Sequence, residues 1–226
     1  MARFPELWSD LPRALAGGRD PDRPWALLDA PLQDALEALP SERIESAIGP
    51  DVHLAGDRIV IGPGVRIGPG AVIEGPVYIA AGCTVRPGAY LRGGVWMEAD
   101  ALVGASSEVK HAILLAGAKA PHLSYVGDSI LGRGVNLGAG TVLSNFRHDG
   151  GEIVLPAGDV RVATGLRKLG ALLGDGVQTG CNCVLHPGSV VGARTSLYPG
   201  VQLRAGIYPA DSLIKLRQQI EVVDLA

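Results

Sequence analysis

Aromatic side chains are scarce. They make up 4% of the 226 residues: two Phe, five Tyr and three Trp. Ordinary globular cores draw much of their bulk from such rings, so a core of that kind is excluded. Cysteine is nearly absent too. The three present, Cys83, Cys181 and Cys183, are odd in number, and two of them are one residue apart. That fits a reducing cytosol better than a disulfide framework. No run of Lys and Arg forms a polybasic patch, the net charge is −3 and the pI is about 5.9. Neither a nucleic-acid binder nor an anionic-membrane binder is indicated. No apolar stretch lasts the roughly 18 residues that a membrane span needs. The N-terminus, MARFPELWSDLPRAL, carries acids and no apolar central region, unlike a signal peptide. A cytoplasmic protein is expected.

What remains is aliphatic and rich in turns. Hydrophobic residues reach 47%, alongside 32 Gly and 16 Pro. Stepping by six from Ile61 meets Ile67, Ile73, Ile79, Val85, Leu91, Met97, Val103 and Val109, aliphatic at every step. A helix repeats at 3.6 residues and a half-buried strand at two. A period of six fits neither. It fits a coil of short strands, each sending one large side chain inward before a corner. Gly62, Gly64, Gly68 and Gly70 fall where corners belong. The expected fold is an all-β solenoid, a parallel β-helix of hexapeptide repeats over 58–208.

After Val109 the frame slips, resuming at Tyr125, Leu131, Leu137 and Leu143. A second break covers 145–170, and the frame returns at Leu173, Thr179, Leu185, Val191, Leu197 and Leu203. An inserted loop is expected at 145–170, with a hairpin over 152–163. Residues 4–16 and 24–39 have helical spacing. A helical arm over 1–57 would cap a raw end of the solenoid or serve as an interaction arm. Residues 210–220, ADSLIKLRQQI, read as a short C-terminal helix within a tail over 209–226.

A solenoid filled by aliphatic side chains has no internal cavity, so a ligand must bind outside, against a loop or a second copy. Arg92 follows inward Leu91 and Lys110 follows inward Val109, three repeats apart. Three hexapeptides make one turn of a three-sided coil, so both cations should stack on one outer face as an anion site.

The stretch KAPHLSYVGDSILGRGVNLGAGTVLSN (119–145) resembles the acetyltransferase half of the bacterial bifunctional enzymes that make UDP-N-acetylglucosamine. It is also similar to the C-terminal parts of archaeal sugar-1-phosphate nucleotidylyltransferase/amino-sugar acetyltransferases. RKLGALLGDGVQTGCNCVLHPG (167–188) fits the same group, and the likeness covers roughly 60–205. It implies a left-handed helix and a homotrimer. It implies N-acetylation of an amino sugar phosphate such as glucosamine-1-phosphate, with acetyl-CoA as co-substrate. His122 would be the general base, a role that suits an imidazole with an ordinary pKa of about 6.5. Arg92 and Lys110 would hold the phosphate, Tyr125 and Asn136 the sugar, and Lys168 would reach a neighbouring site. Ala139, Asn145, Phe146, Cys181 and Pro199 would line the acetyl-CoA site.

Some positions depart from the family. Pro121 stands where Gly is usual, Cys181 where Ser is, Phe146 where Tyr is, and Pro199 where Ala is. A thiol donates more weakly than a hydroxyl, which puts the acyl donor and the sugar in question more than the reaction class. Residues 1–57 are too short for a nucleotidyltransferase domain and lack its G-x-G-T-R-M loop, so no UTP chemistry and no metal are expected. His53, His111, His122, His148 and His186 show no zinc spacing, and the C-x-C at 181–183 is too little alone. Two other readings stay open. One is a non-catalytic assembly or regulatory subunit docking through 1–57 to a separate sugar nucleotidyltransferase. The other is an acyltransferase for a different amine, such as a nucleotide-linked amino sugar.

Overall fold

The computed structural model describes residues 4–5, 7–18 and 20–223. Each short strand pairs in parallel with the strand one coil further on. Ile59 lies beside Val77 and Val77 beside Val95. Arg66 lies beside Thr84 and Thr84 beside Leu102. Val72 lies beside Tyr90. These three series are the three faces of a parallel β-solenoid, with three hexapeptides to a coil. The hexad residues Ile61, Ile73, Ile79, Leu91, Met97, Val103 and Val109 are fully buried along its axis.

The slip after Val109 has a precise cause. Between the strands Tyr90–Arg92 and Val95–Met97 the corner takes two residues, Gly93 and Gly94, both at positive φ. One coil on, a single residue, His111 (φ 46°), turns the same corner inside the strand Glu108–Leu114. Asp128 (φ 45°) does so again inside Tyr125–Leu131. Each shortened corner removes one residue from its coil. The inward series therefore runs Val109, Leu114, Ala120, Val126, Leu131, all fully buried. Tyr125, expected in the inward frame, instead points outward beside Val126 and is half-buried. The loop over 145–170 leaves from this same corner. Inside it Val154–Ala157 and Val160–Ala163 pair as an antiparallel hairpin.

The solenoid starts earlier than the regular frame. Glu42–Ile44 pairs with Ile59–Ile61, and His53–Ala55 pairs with Val72–Glu74. The arm before it is helical at Arg13–Ala16, Pro24–Leu28 and Ala30–Glu37, but it caps no end. It lies along one face, whose strands carry an outward apolar residue at their centre: Trp96, Ile113, Ile130, Leu172 and Val190. Leu7, Trp8, Leu15, Trp25 and Leu32 cover that column. A bare apolar stripe of that length in water is unfavourable. The indole N–H of Trp8 donates to the Leu173 carbonyl at 3.0 Å, and both Ser9 N–H and Ser9 Oγ donate to Asp175.

The C-terminal helix does not form among the described residues. Asp211 (φ 54°) makes a corner, and Leu213–Ile214 pairs with Ser196–Leu197 as a last solenoid strand. The Leu and Ile that suggest a helical stripe continue the hexad, because the exposed strand end supplies backbone partners that an isolated short helix lacks. Residues 215–223 take no regular structure, and 224–226 lie outside the described residues.

Candidate active site

The third face, bearing the strands Tyr90–Arg92, Glu108–Leu114 and Tyr125–Leu131, gathers three of the expected residues, Arg92, Lys110 and Tyr125. Leu91 is in register with Val109, so Arg92 and Lys110, which follow them, stack on one outer face. Tyr90, Glu108 and Tyr125 form the neighbouring outward column. Arg92 Nη1 meets Glu108 Oε1 at 2.6 Å, and its guanidinium lies 5.8 Å from the centre of the Tyr90 ring.

At the corner beside this face sits Asp128, 5% exposed. Lys110 Nζ approaches its Oδ2 at 3.3 Å, His111 Nδ1 meets its Oδ1 at 2.9 Å, and Asn145 Nδ2 donates to Oδ2. Burial pushes the carboxyl up. The hydrogen bonds from His111 and Asn145 and the charge of Lys110 outweigh it, so its pKa lies below the usual carboxylate value. Burial with the nearby Glu108 and Asp128 raises the Tyr125 phenol, against the lowering effect of the neighbouring Asn145. Gly127 makes room for this: a Cβ there would come within 2.7 Å of both Asn145 Nδ2 and the Tyr125 hydroxyl.

The lowered pKa of Asp128 has a sign. Its stabilisation is fully present above the unfolded-state pKa of about 3.9 and is lost as pH falls through the lower folded value. Melting temperatures of wild type and Asp128→Asn should therefore differ clearly near neutrality and converge below about pH 4. A constant gap across an acid-to-neutral melting series would contradict this.

His122 lies at the opposite corner, exposed, at the end of the strand Lys119–His122. Ala139, Cys181 and Pro199 stack above it. Gly140 N–H donates to the His122 carbonyl at 3.1 Å, Asn182 N–H to Ala139 at 2.8 Å, and Gly200 N–H to Cys181 at 2.9 Å. The residue expected as general base and three positions expected to line the acetyl-CoA site thus form one column. Arg86 Nη1 stands 3.3 Å from His122 Nε2. A guanidinium only donates, so a hydrogen bond here needs Nε2 as the acceptor.

Other expected residues lie apart. Asn136 is on the second face, bridged to Lys119 and Gln178. Phe146 and Lys168 pair across the mouth of the inserted loop, both exposed. Arg86, Glu108, His111, Gly127 and Asp128 were not singled out from sequence. Two of them carried a signal: His111 and Asp128 occupy corner positions where Gly is usual. Among the described residues no group of three His, Cys, Asp or Glu is placed to hold a metal ion, and no helix is long and apolar enough to cross a membrane.

Comparison with known proteins agrees with this architecture. Residues 58–93 match the family model described as bacterial transferase hexapeptide (six repeats). The chain is 47% identical over 98 residues to the bifunctional sugar-1-phosphate nucleotidylyltransferase/acetyltransferase of Sulfurisphaera tokodaii, covering 43% of this chain and 24% of that protein. It is 36% identical over 176 residues to the bifunctional protein GlmU of Methanococcus aeolicus, covering 78% of this chain and 42% of that protein. With the GlmU of Methylococcus capsulatus it shares 46% identity over 102 residues, 45% of this chain and 22% of that protein. The chain spans less than half the length of each of these relatives.

Proposed function

We propose that this chain is an N-acetyltransferase that moves the acetyl group of acetyl-CoA to the amine of an amino sugar phosphate such as glucosamine-1-phosphate. The observation that carries this reading is the corner column of His122, Ala139, Cys181 and Pro199 beside a face bearing Arg92, Lys110 and Tyr125. One column offers a proton acceptor beside the positions that would line the thioester, and the face offers cations for a phosphate. The names of the relatives above support the same reaction class.

In the proposed reaction the sugar amine attacks the thioester carbonyl while His122 takes its proton. The C–N bond forms, the C–S bond breaks, and the departing CoA thiolate takes up the proton. Asn145 and Phe146 would meet the donor where the loop leaves the solenoid. Asn136, on another face, and Lys168, at the loop mouth, would serve a neighbouring copy's site, as a homotrimer allows. Such a substrate and donor fit a cytoplasmic enzyme. The scaffold reading is less favoured, because the arm that would dock a partner is folded onto its own solenoid through Trp8 and Trp25.

Replacing Lys110 by Met tests the phosphate assignment. A charge-assisted hydrogen bond contributes about 1.5–3 kcal/mol, so KM for the sugar phosphate should rise about 10- to 100-fold, with kcat changed far less. Arg92→Gln should behave alike. An unchanged KM in both variants would remove the phosphate from this face.

A further inference from the structure

The face that carries Arg92 and Lys110 carries further basic side chains along the axis. Leu143, Leu185 and Leu203 stack in register, and the outward residues that follow them are Ser144, His186 and Arg204. Ser144 N–H donates to Leu185 and His186 N–H to Leu203, each at 2.9 Å. Adjacent strands lie about 4.8 Å apart, so His186 and Arg204 rise side by side. By the same spacing, His186 stands about 14 Å along the stack from Lys110.

Between these residues and the inserted loop lies a cavity of about 650 Å³. Val142 and Val184 are its apolar floor, and the loop contributes Phe146, whose ring is 44% exposed. The loop also contributes His148 and the pair Arg147–Asp149. Asp149 is engaged by Arg147 twice, at 2.9 Å through Nε and 2.5 Å through Nη2. The lone lining carboxylate is therefore already neutralised. Arg204, His148 and His186 make no side-chain hydrogen bond or ion pair with any other described residue.

An unneutralised guanidinium flanked by imidazoles suits a phosphate, which it can grip in bidentate fashion. An apolar floor with an exposed ring suits a flat heterocycle. We propose that this cavity is a second anion site, separate from Arg92 and Lys110, that binds a nucleotide with its phosphate on His186 and Arg204 and its base against Val184 and Phe146. Binding here does not depend on acyl transfer. The nucleotide is either the phosphoadenosine end of the acyl donor or a free nucleotide acting on its own.

Calorimetric titration of the full chain with adenosine 3′,5′-bisphosphate, uridine monophosphate and inorganic phosphate tests this. At least one nucleotide should bind more tightly than phosphate alone. The double variant His186→Asn/Arg204→Gln should weaken it at least tenfold, and Arg92→Gln should leave it unchanged. Both replaced side chains are exposed, so folding is preserved. Displacement of the nucleotide by desulfo-CoA identifies the donor as the source; simultaneous binding identifies a free nucleotide. The proposal is overturned if no probe binds, if phosphate binds as well as the nucleotides, or if the double variant binds like wild type.

Discussion

His122→Ala is expected to reduce turnover by about 10²- to 10⁴-fold, the range that a positioned general base supplies. The side chain is exposed at a corner, and its one side-chain partner among the described residues is Arg86 at 3.3 Å. Removing it leaves no buried cavity and no orphaned buried group. Stability should therefore change by no more than about 0.5 kcal/mol, as for other surface substitutions. The loss should fall on kcat and kcat/KM together, because the proton is taken only as the C–N bond forms. Steady-state kinetics beside light scattering on the same sample separate this from a folding defect. Wild-type turnover in a variant of unchanged size and melting temperature would end the assignment.

Gly104→Ala is expected to damage both stability and activity. Val103 pairs with Ala120 and Ala105 with His122, so Gly104 faces Pro121 across the ladder. A Cβ at 104 would lie 1.6 Å from the Pro121 carbonyl oxygen and 2.0 Å from its carbon. Both atoms are backbone, so no side chain can rotate away and the coil carrying His122 must move. Overpacking typically costs about 1–3 kcal/mol, and a contact with immovable backbone lies at the upper end of that range. Gly49→Ala is the matching control, since a Cβ there would meet nothing within 4 Å. A lowered denaturant midpoint with lost turnover at 104, against no change at 49, is the expected pair of results. Equal stability of the two variants would mean that the two coils are not in this register.

Much of the solenoid was legible because its rule is simple: one inward aliphatic residue every six positions. The slip after Val109 was visible as well, but its cause was not. A one-residue corner at His111 or Asp128 needs a left-handed backbone conformation that side-chain type signals only faintly outside Gly. Helices in the arm were legible from their spacing, but their place was not, since capping an end and covering a face require the same amphipathic pattern. The clue lay elsewhere, in Trp96, Ile113, Ile130 and Leu172, outward positions that a face open to water would not fill with apolar side chains. The C-terminal Leu and Ile misled because a six-residue period mimics a helical one over so short a stretch.

The site was legible in proportion to its motif. His122 came with its flanking residues, and the stacking of Arg92 on Lys110 came from the period itself. Asp128 lies inside that motif, yet its link to Lys110, His111 and Asn145 depends on a corner and a loop that only folding brings together. Arg86 reaches His122 from two coils away, a relation that nothing in its own hexapeptide announces.

Release of free thiol from acetyl-CoA, with glucosamine-1-phosphate or galactosamine-1-phosphate as acceptor, tests the central claim most directly. The account predicts turnover with at least one acceptor, saturating in both substrates and lost in His122→Ala. No thiol release with either acceptor, from protein of native size and cooperative melting, would contradict it.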